Sequence, residues 1–190
     1  MPRLRHHASM AMLAAALLAA CADRPPLPTT PVDAPHRSRG TGEHGGIPLS
    51  IAFPTARDGN REIYLMNPDG SDQTRLTFHP AEDFVPDWSP NGRQLAFVST
   101  RDGNQEVYRM NADGSEQTNL TGHPAIDGGP VFSPNGKQIA FMSRRDGNWE
   151  LYLMNADGSE VTRLTEHAGA DQWPDWSTNG KLIAFQRDGD

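Results

Sequence analysis

Trp88 to Pro124 reads WSPNGRQLAFVSTRDGNQEVYRMNADGSEQTNLTGHP, and nearly everything after Leu49 is a copy of it. The tetrad RDGN occurs at 57–60, 101–104 and 145–148, two steps of 44 residues, and a partial copy reads Arg187-Asp188-Gly189-Asp190. Trp88, Phe132 and Trp176 keep the same phase, as do the Asp-Gly pairs that begin at Asp69, Asp113 and Asp157. The last copy runs two residues short: Lys181 to Arg187 is six residues, where Arg93 to Arg101 and Lys137 to Arg145 are each eight. A period in the forties, made of short apolar runs punctuated by turns, predicts a propeller or a similar array of stacked units.

Within the period, alternation gives strands. Leu95 and Phe97 fall on one face of Gln94–Val98, and Ala96 and Val98 on the other. Both faces are apolar, as expected where a sheet is covered on each side. The small residue recurs as Ala52, Ala96, Ala140 and Ala184, which predicts close approach of neighbouring sheets. In Glu62–Asn67, Glu106–Asn111 and Glu150–Asn155, Tyr64, Tyr108 and Tyr152 share a face with Met66, Met110 and Met154. Arg109 stands in the opposite column, where the other copies carry Leu65 and Leu153, and so predicts that this column reaches solvent in the middle copy. More polar runs at 73–77, 117–121 and 161–165 read as outer strands.

Turn chemistry closes the hairpins. Ser89-Pro90-Asn91-Gly92 sets φ near −65° at its proline and a left-handed residue at its glycine, a type I turn with a G1 bulge. Asp58-Gly59-Asn60 and Asp69-Gly70-Ser71, with their copies, supply two more turns per period. Three hairpins per unit give four antiparallel strands, so the fold class is all-β: propeller blades, thirteen strands in all, an incomplete array of a little over three blades. An open arc leaves an apolar blade face at each end, which makes a second copy of the chain one expected partner.

IAF, S-x-RDGN, E-I-Y-x-MN-x-DGS, RLT and P-x-WSP-x-G together resemble the WD40-like (PD40) propeller repeat of the TolB family, the periplasmic part of the Tol-Pal envelope system, and of prolyl-oligopeptidase relatives. The similarity covers about residues 49–189. It implies a propeller that binds envelope proteins without catalysing a reaction, or a gate beside a hydrolase. It also implies a six-bladed ring preceded, in TolB, by an α/β domain. Here residues 49–190 read as a partial propeller behind a tether.

The N-terminal stretch predicts export. Residues 1–20 join Arg3 and Arg5 to an apolar core from Met10 to Leu18, the shape of a signal peptide and too short to cross a hydrocarbon layer. Leu18-Ala19-Ala20-Cys21 resembles a bacterial lipobox, which implies lipidation at Cys21, the only cysteine, and a periplasmic protein held to the outer membrane by lipid alone. An ordinary signal with an incidental cysteine is the alternative. Residues 21–48, rich in Pro and Gly, read as a flexible tether. The net charge of −7 with no basic stripe speaks against nucleic acid as partner.

Candidate chemistry is sparse. His79, His123 and His167 each stand four residues before Asp83, Asp127 and Asp171. Such a pair could be a base and its orienter or two metal ligands, but a group repeated in every blade is better read as structural, the carboxylate tying down backbone donors or the histidine. Asp-x-Asp-x-Asp spacing for calcium and a G-x-S-x-G elbow are both absent from the sequence, so neither a cofactor nor a catalytic residue is expected. Trp173 breaks the repeat, replacing Val85 and Gly129, and either stacks on a peptide or sugar or covers the end of the array. Aromatic residues clustered at a channel mouth would favour a carbohydrate ligand.

Overall fold

A computed structural model describes residues 50–189. Residues 1–49, which hold the signal peptide, the tether and Cys21 of the sequence reading, lie outside the described residues. The described chain forms thirteen strands in four antiparallel sheets and no helix. The first sheet has three strands, β1 (Ile51–Thr55), β2 (Glu62–Met66) and β3 (Thr74–Arg75). Two complete blades follow: β4 (Asp83–Trp88), β5 (Gln94–Ser99), β6 (Glu106–Asn111) and β7 (Thr118–Asn119), then β8 (Asp127–Phe132), β9 (Gln138–Ser143), β10 (Glu150–Asn155) and β11 (Thr162–Arg163). A two-stranded sheet, β12 (Asp171–Trp176) and β13 (Ile183–Arg187), ends the array.

The turns adopt the geometry their residues dictate. Gly92 has φ +64° and donates to the Ser89 carbonyl at 2.8 Å, while Ser89 N–H bonds the Gln94 carbonyl beyond the turn at 2.9 Å. A side chain at this φ is strained, which accounts for glycine in each SPNG-type turn. The outer strands are shorter than the alternation predicts, two residues rather than five. Two local causes are visible. Asp72, Glu116 and Glu160 sit in the left-handed region just before them, and the hydroxyls of Thr77, Thr121 and Thr165 accept the N–H of Ile63, Val107 and Leu151, taking the place of a ladder carbonyl.

Packing between sheets is directional. Leu95, Phe97, Tyr108 and Met110 of the second sheet pack on Ile63 and Leu76 of the first. The reverse side of the second sheet, Ala96, Val107 and Leu120, receives Ile139, Phe141, Tyr152 and Met154 of the third. Every junction therefore presses a face of large side chains into a face of smaller ones, and the recurrent alanine allows that approach. Arg109 reaches solvent in part, as its position in the repeat suggested, and it also makes a contact between blades. Its guanidinium is half-buried and donates to the Ala156 carbonyl at 2.9 Å, tying the second blade to the third.

The two ends differ from the middle. No strand of the first sheet touches a strand of the last. Phe185 of β13 is 41% exposed, whereas Phe97 and Phe141, its counterparts in the complete blades, are fully buried.

Phe97→Asp is expected to unfold the array or cost several kcal/mol, because it buries an unpartnered charge. Arg109→Asp is expected to cost about 1.5–3 kcal/mol, the loss of one charged hydrogen bond. Urea denaturation of both variants, followed by far-ultraviolet circular dichroism, measures the difference.

Candidate functional site

One polar frame recurs along the array. The carboxylates of Asp83, Asp127 and Asp171 open the strands β4, β8 and β12 and are fully buried. Each meets the arginine of the next RDG sequence: Arg101 to Asp83 at 2.9 Å, Arg145 to Asp127 at 3.1 Å and Arg187 to Asp171 at 2.7 Å. The sequence reading placed the histidine or backbone donors opposite these carboxylates; the structure places an arginine there. Hydrogen bonding by Arg187 holds the Asp171 carboxyl below its ordinary range. The histidines brace their own loops instead, Nδ1 of His79, His123 and His167 accepting from the backbone N–H of Ala81, Ala125 and Gly169 at 3.0–3.1 Å.

A second recurrent pair escaped the sequence reading. The side-chain amides of Asn60, Asn104 and Asn148 donate to the carbonyls of His79, His123 and His167, and also to the buried carboxylates of Glu62, Glu106 and Glu150. The signal was present in the pattern RDGN-x-E, which holds in all three full copies. The remaining residues of the repeat set, Trp88, Phe132 and Trp176, close the inner strands, with Phe132 buried and the two tryptophans half-buried. Among the described residues no cluster of three or more His, Cys, Asp or Glu could hold a metal ion.

Several columns in which the copies differ meet in one place. β4, β8 and β12 lie beside one another across the sheets, and near their starts they enclose a cleft of about 310 Å³. Three columns of the repeat supply most of its wall: Phe84, Gly128 and Gln172; Val85, Gly129 and Trp173; and Gln105 with Trp149. Val98 and Met142 line the remainder. The frame columns repeat and the cleft columns do not. A symmetric scaffold thus carries one asymmetric site.

The backbone prepares the cleft. Val85, Gly129 and Trp173 have φ of +52°, +57° and +54°, inside bulges that shift the register of β4, β8 and β12. Each is followed by proline, and each bulge turns its side chain out of the strand's alternation. Holding valine or tryptophan in the left-handed region costs on the order of 1–3 kcal/mol, so the surrounding fold must impose it. Gly128 and Gly129 leave room in the middle copy: a Cβ on either would lie 3.5 Å from Met142. Trp173 is 51% exposed and presents its indole to the cleft. The walls therefore offer aromatic and apolar surface with two amides, Gln105 and Gln172, able both to donate and to accept.

One carboxylate nearby is unusual. Asp87 accepts the Phe132 N–H at 2.7 Å, a bond between blades. Burial pushes its pKa up to about 6, and the neighbouring charge of Asp175 adds to the rise. A carboxyl raised in the fold stabilises the protein below its ordinary pKa of 3.8, and that contribution is lost as pH rises through about 6. Asp87→Asn keeps an accepting oxygen and removes the charge. It is expected to raise stability at pH 7.5 by roughly 3 kcal/mol, with the gain vanishing below about pH 4, as read from paired thermal melts across that range.

Residues 48–125 and 116–190 both match the family model described as the TolB beta propeller domain. Among curated proteins, the Tol-Pal system protein TolB of Geobacter sulfurreducens is 49% identical over 55 residues, 29% of this chain and 13% of that protein. The solved structure of a TolB described as putative, from Agrobacterium tumefaciens, superposes with a TM-score of 0.66 at 30% identity, covering 72% of this chain and 49% of that one. TolB from Acinetobacter baumannii gives the same TM-score at 26% identity, over 74% of this chain and 36% of that one. The chain thus spans half or less of the length of these relatives.

Proposed function

This chain belongs to the TolB β-propeller domain family, and on that premise we propose that it is a non-enzymatic binding propeller of the bacterial envelope. In this reading it is exported, carries lipid on Cys21, is held in the periplasm at the outer membrane by residues 21–48, and presents residues 49–190 to a protein of the Tol-Pal type. The observation that carries the reading is the cleft. It gathers the columns in which the repeats diverge, and its walls are apolar and amide side chains with no nucleophile or titratable group among them. Such a surface can bury an apolar anchor and orient it with a few hydrogen bonds.

A second reading has its own support. Phe84, Trp149 and Trp173 cluster at the cleft, and aromatic faces beside amides also suit the C–H face and hydroxyls of a sugar ring. The two readings separate in one titration. Tol-Pal proteins of the same cell, and separately a soluble peptidoglycan fragment, are added to the purified protein while tryptophan fluorescence and heat are recorded. Binding of a protein that is lost in Gly128→Leu, which fills the cleft, is the expected result; binding of the glycan alone moves the assignment to carbohydrate. Peptide hydrolysis that persists in pure protein would overturn the non-enzymatic reading. Palmitate-analogue labelling in a bacterial host is expected to mark the wild type and not Cys21→Ser, and a wild type without lipid by intact mass would remove the anchor.

A further inference from the structure

We propose that two copies of this chain join head to tail by exchanging a strand, β1 of one copy taking the place of β13 beside β12 of the other. The argument rests on three features of the two ends, each the unfilled half of a contact made twice inside the chain. It is independent of what the cleft binds.

The first is charge. Arg101 donates through Nε to Ser99, through Nη1 to Gln117 and through Nη2 to Asp83. Arg57 holds the same pose, with Nε toward Thr55 and Nη1 on Gln73 at 2.6 Å, but no carboxylate lies within ion-pair distance of it among the described residues. The inner strand that would supply one is β12, whose Asp171 is bonded by Arg187. Spacing favours exchange of the two arginines. Ile51 to Arg57 is six residues, as are Leu95 to Arg101 and Ile139 to Arg145, whereas Ile183 to Arg187 is four. Arg187 therefore reaches Asp171 from within the strand, at the register of Ser99 and Ser143, instead of from the turn. β13 behaves as a substitute for a better-fitting strand, and β1, with the same Ile-Ala-Phe start, is that strand.

The second is the turn contact. Gly114 sits so close to the Leu76 carbonyl that a Cβ would lie 2.7 Å from it, and Gly158 does the same to Leu120 at 2.8 Å. These turns cap Leu76 and Leu120, each 7% exposed. Leu164, next in the series, is 43% exposed, and Gly70, the first in the series, has nothing within 4 Å of its Cβ position. The third is the apolar face. Ile51 is 42% exposed and Phe53 and Met66 are half-buried, where Leu95, Phe97 and Met110 are fully buried against the preceding blade.

Exchange satisfies all three at once. The second copy's Arg57 meets Asp171, its Gly70 turn covers Leu164, and its Ile51, Phe53 and Met66 pack on the face of the third sheet that β12 and β13 now cover in part. Twelve of the thirteen described strands then form three complete blades per chain, and the described strands of two chains make up a ring of six. Because β1 and β13 are near copies, the exchange trades like for like, the condition under which strand swapping is cheap.

The test uses the full chain carrying Cys21→Ser. Sedimentation equilibrium up to roughly 100 µM, a range that detects weak association, is expected to show a two-chain species. Arg57 is exposed, its guanidinium lying over the Phe53 and Tyr64 rings, and Arg57→Glu should weaken the two-chain species at least tenfold. When Ala52→Cys and Asp175→Cys chains with different tags are co-expressed and oxidised, a disulfide should join one of each. The double variant Asp175→Cys with Ala184→Cys, which locks β13 onto β12, should remain a single chain until reduced. A single-chain mass throughout, a dimer without the 52–175 cross-link, or a dimer indifferent to Arg57→Glu would each overturn the proposal.

Discussion

A carboxylate buried at the start of an inner strand needs a cation, and that requirement organises the array. Asp83, Asp127 and Asp171 are removed from water, and an unpaired ionised group there would cost several kcal/mol. The arginine of the following RDG sequence supplies the charge. Because that arginine lies beyond the next strand, the pair clamps the inner hairpin of each blade at the end nearest the cleft. A buried pair of this kind adds little net stability compared with apolar packing, but losing one partner is expensive, so it fixes which strands belong together. Arg187 shows the strength of the requirement: with two residues missing, it abandons the turn and pairs from the strand itself.

The clamp also explains why the site lies where it does. With the Asp-Arg pair and the Asn-Glu bracket fixing the loop between blades, the adjoining positions of the inner strand are free of structural duty. They are also bulged, so their side chains leave the strict alternation of a strand and point into the space between blades. Phe84, Gly129 and Trp173 can therefore differ without disturbing the sheets. A repeat array has few such positions, and here they converge on one cleft.

Directional packing has a further consequence. Each junction joins a face of large side chains to a face of small ones, so the two ends of the array are not alike, and the end of one copy is shaped to fit the beginning of another. Like ends have no such fit. The same polarity that stacks blades within the chain selects head-to-tail association over any face-to-face dimer.

Much of this was fixed by residue order alone. Glycine at Gly92 and Gly70 leaves the chain a left-handed turn and few others, and alternation at Gln94–Val98 admits only a strand with two covered faces, so thirteen strands and their grouping follow from local rules. The Asp, His and Arg columns were legible as recurrent, but which of them touch was not. His79 is four residues from Asp83, whereas Arg101 is eighteen away, and only the return of β5 along β4 brings that arginine to the carboxylate. The cleft was legible in one residue only: Trp173 stood out as breaking the repeat, but the bulges that give Val85, Gly129 and Trp173 positive φ did not. Local sequence determines turns and strand faces because those depend on a few neighbouring dihedrals. Ion pairing, bulges and cavities depend on distances across the sheets, and only the assembled structure sets those.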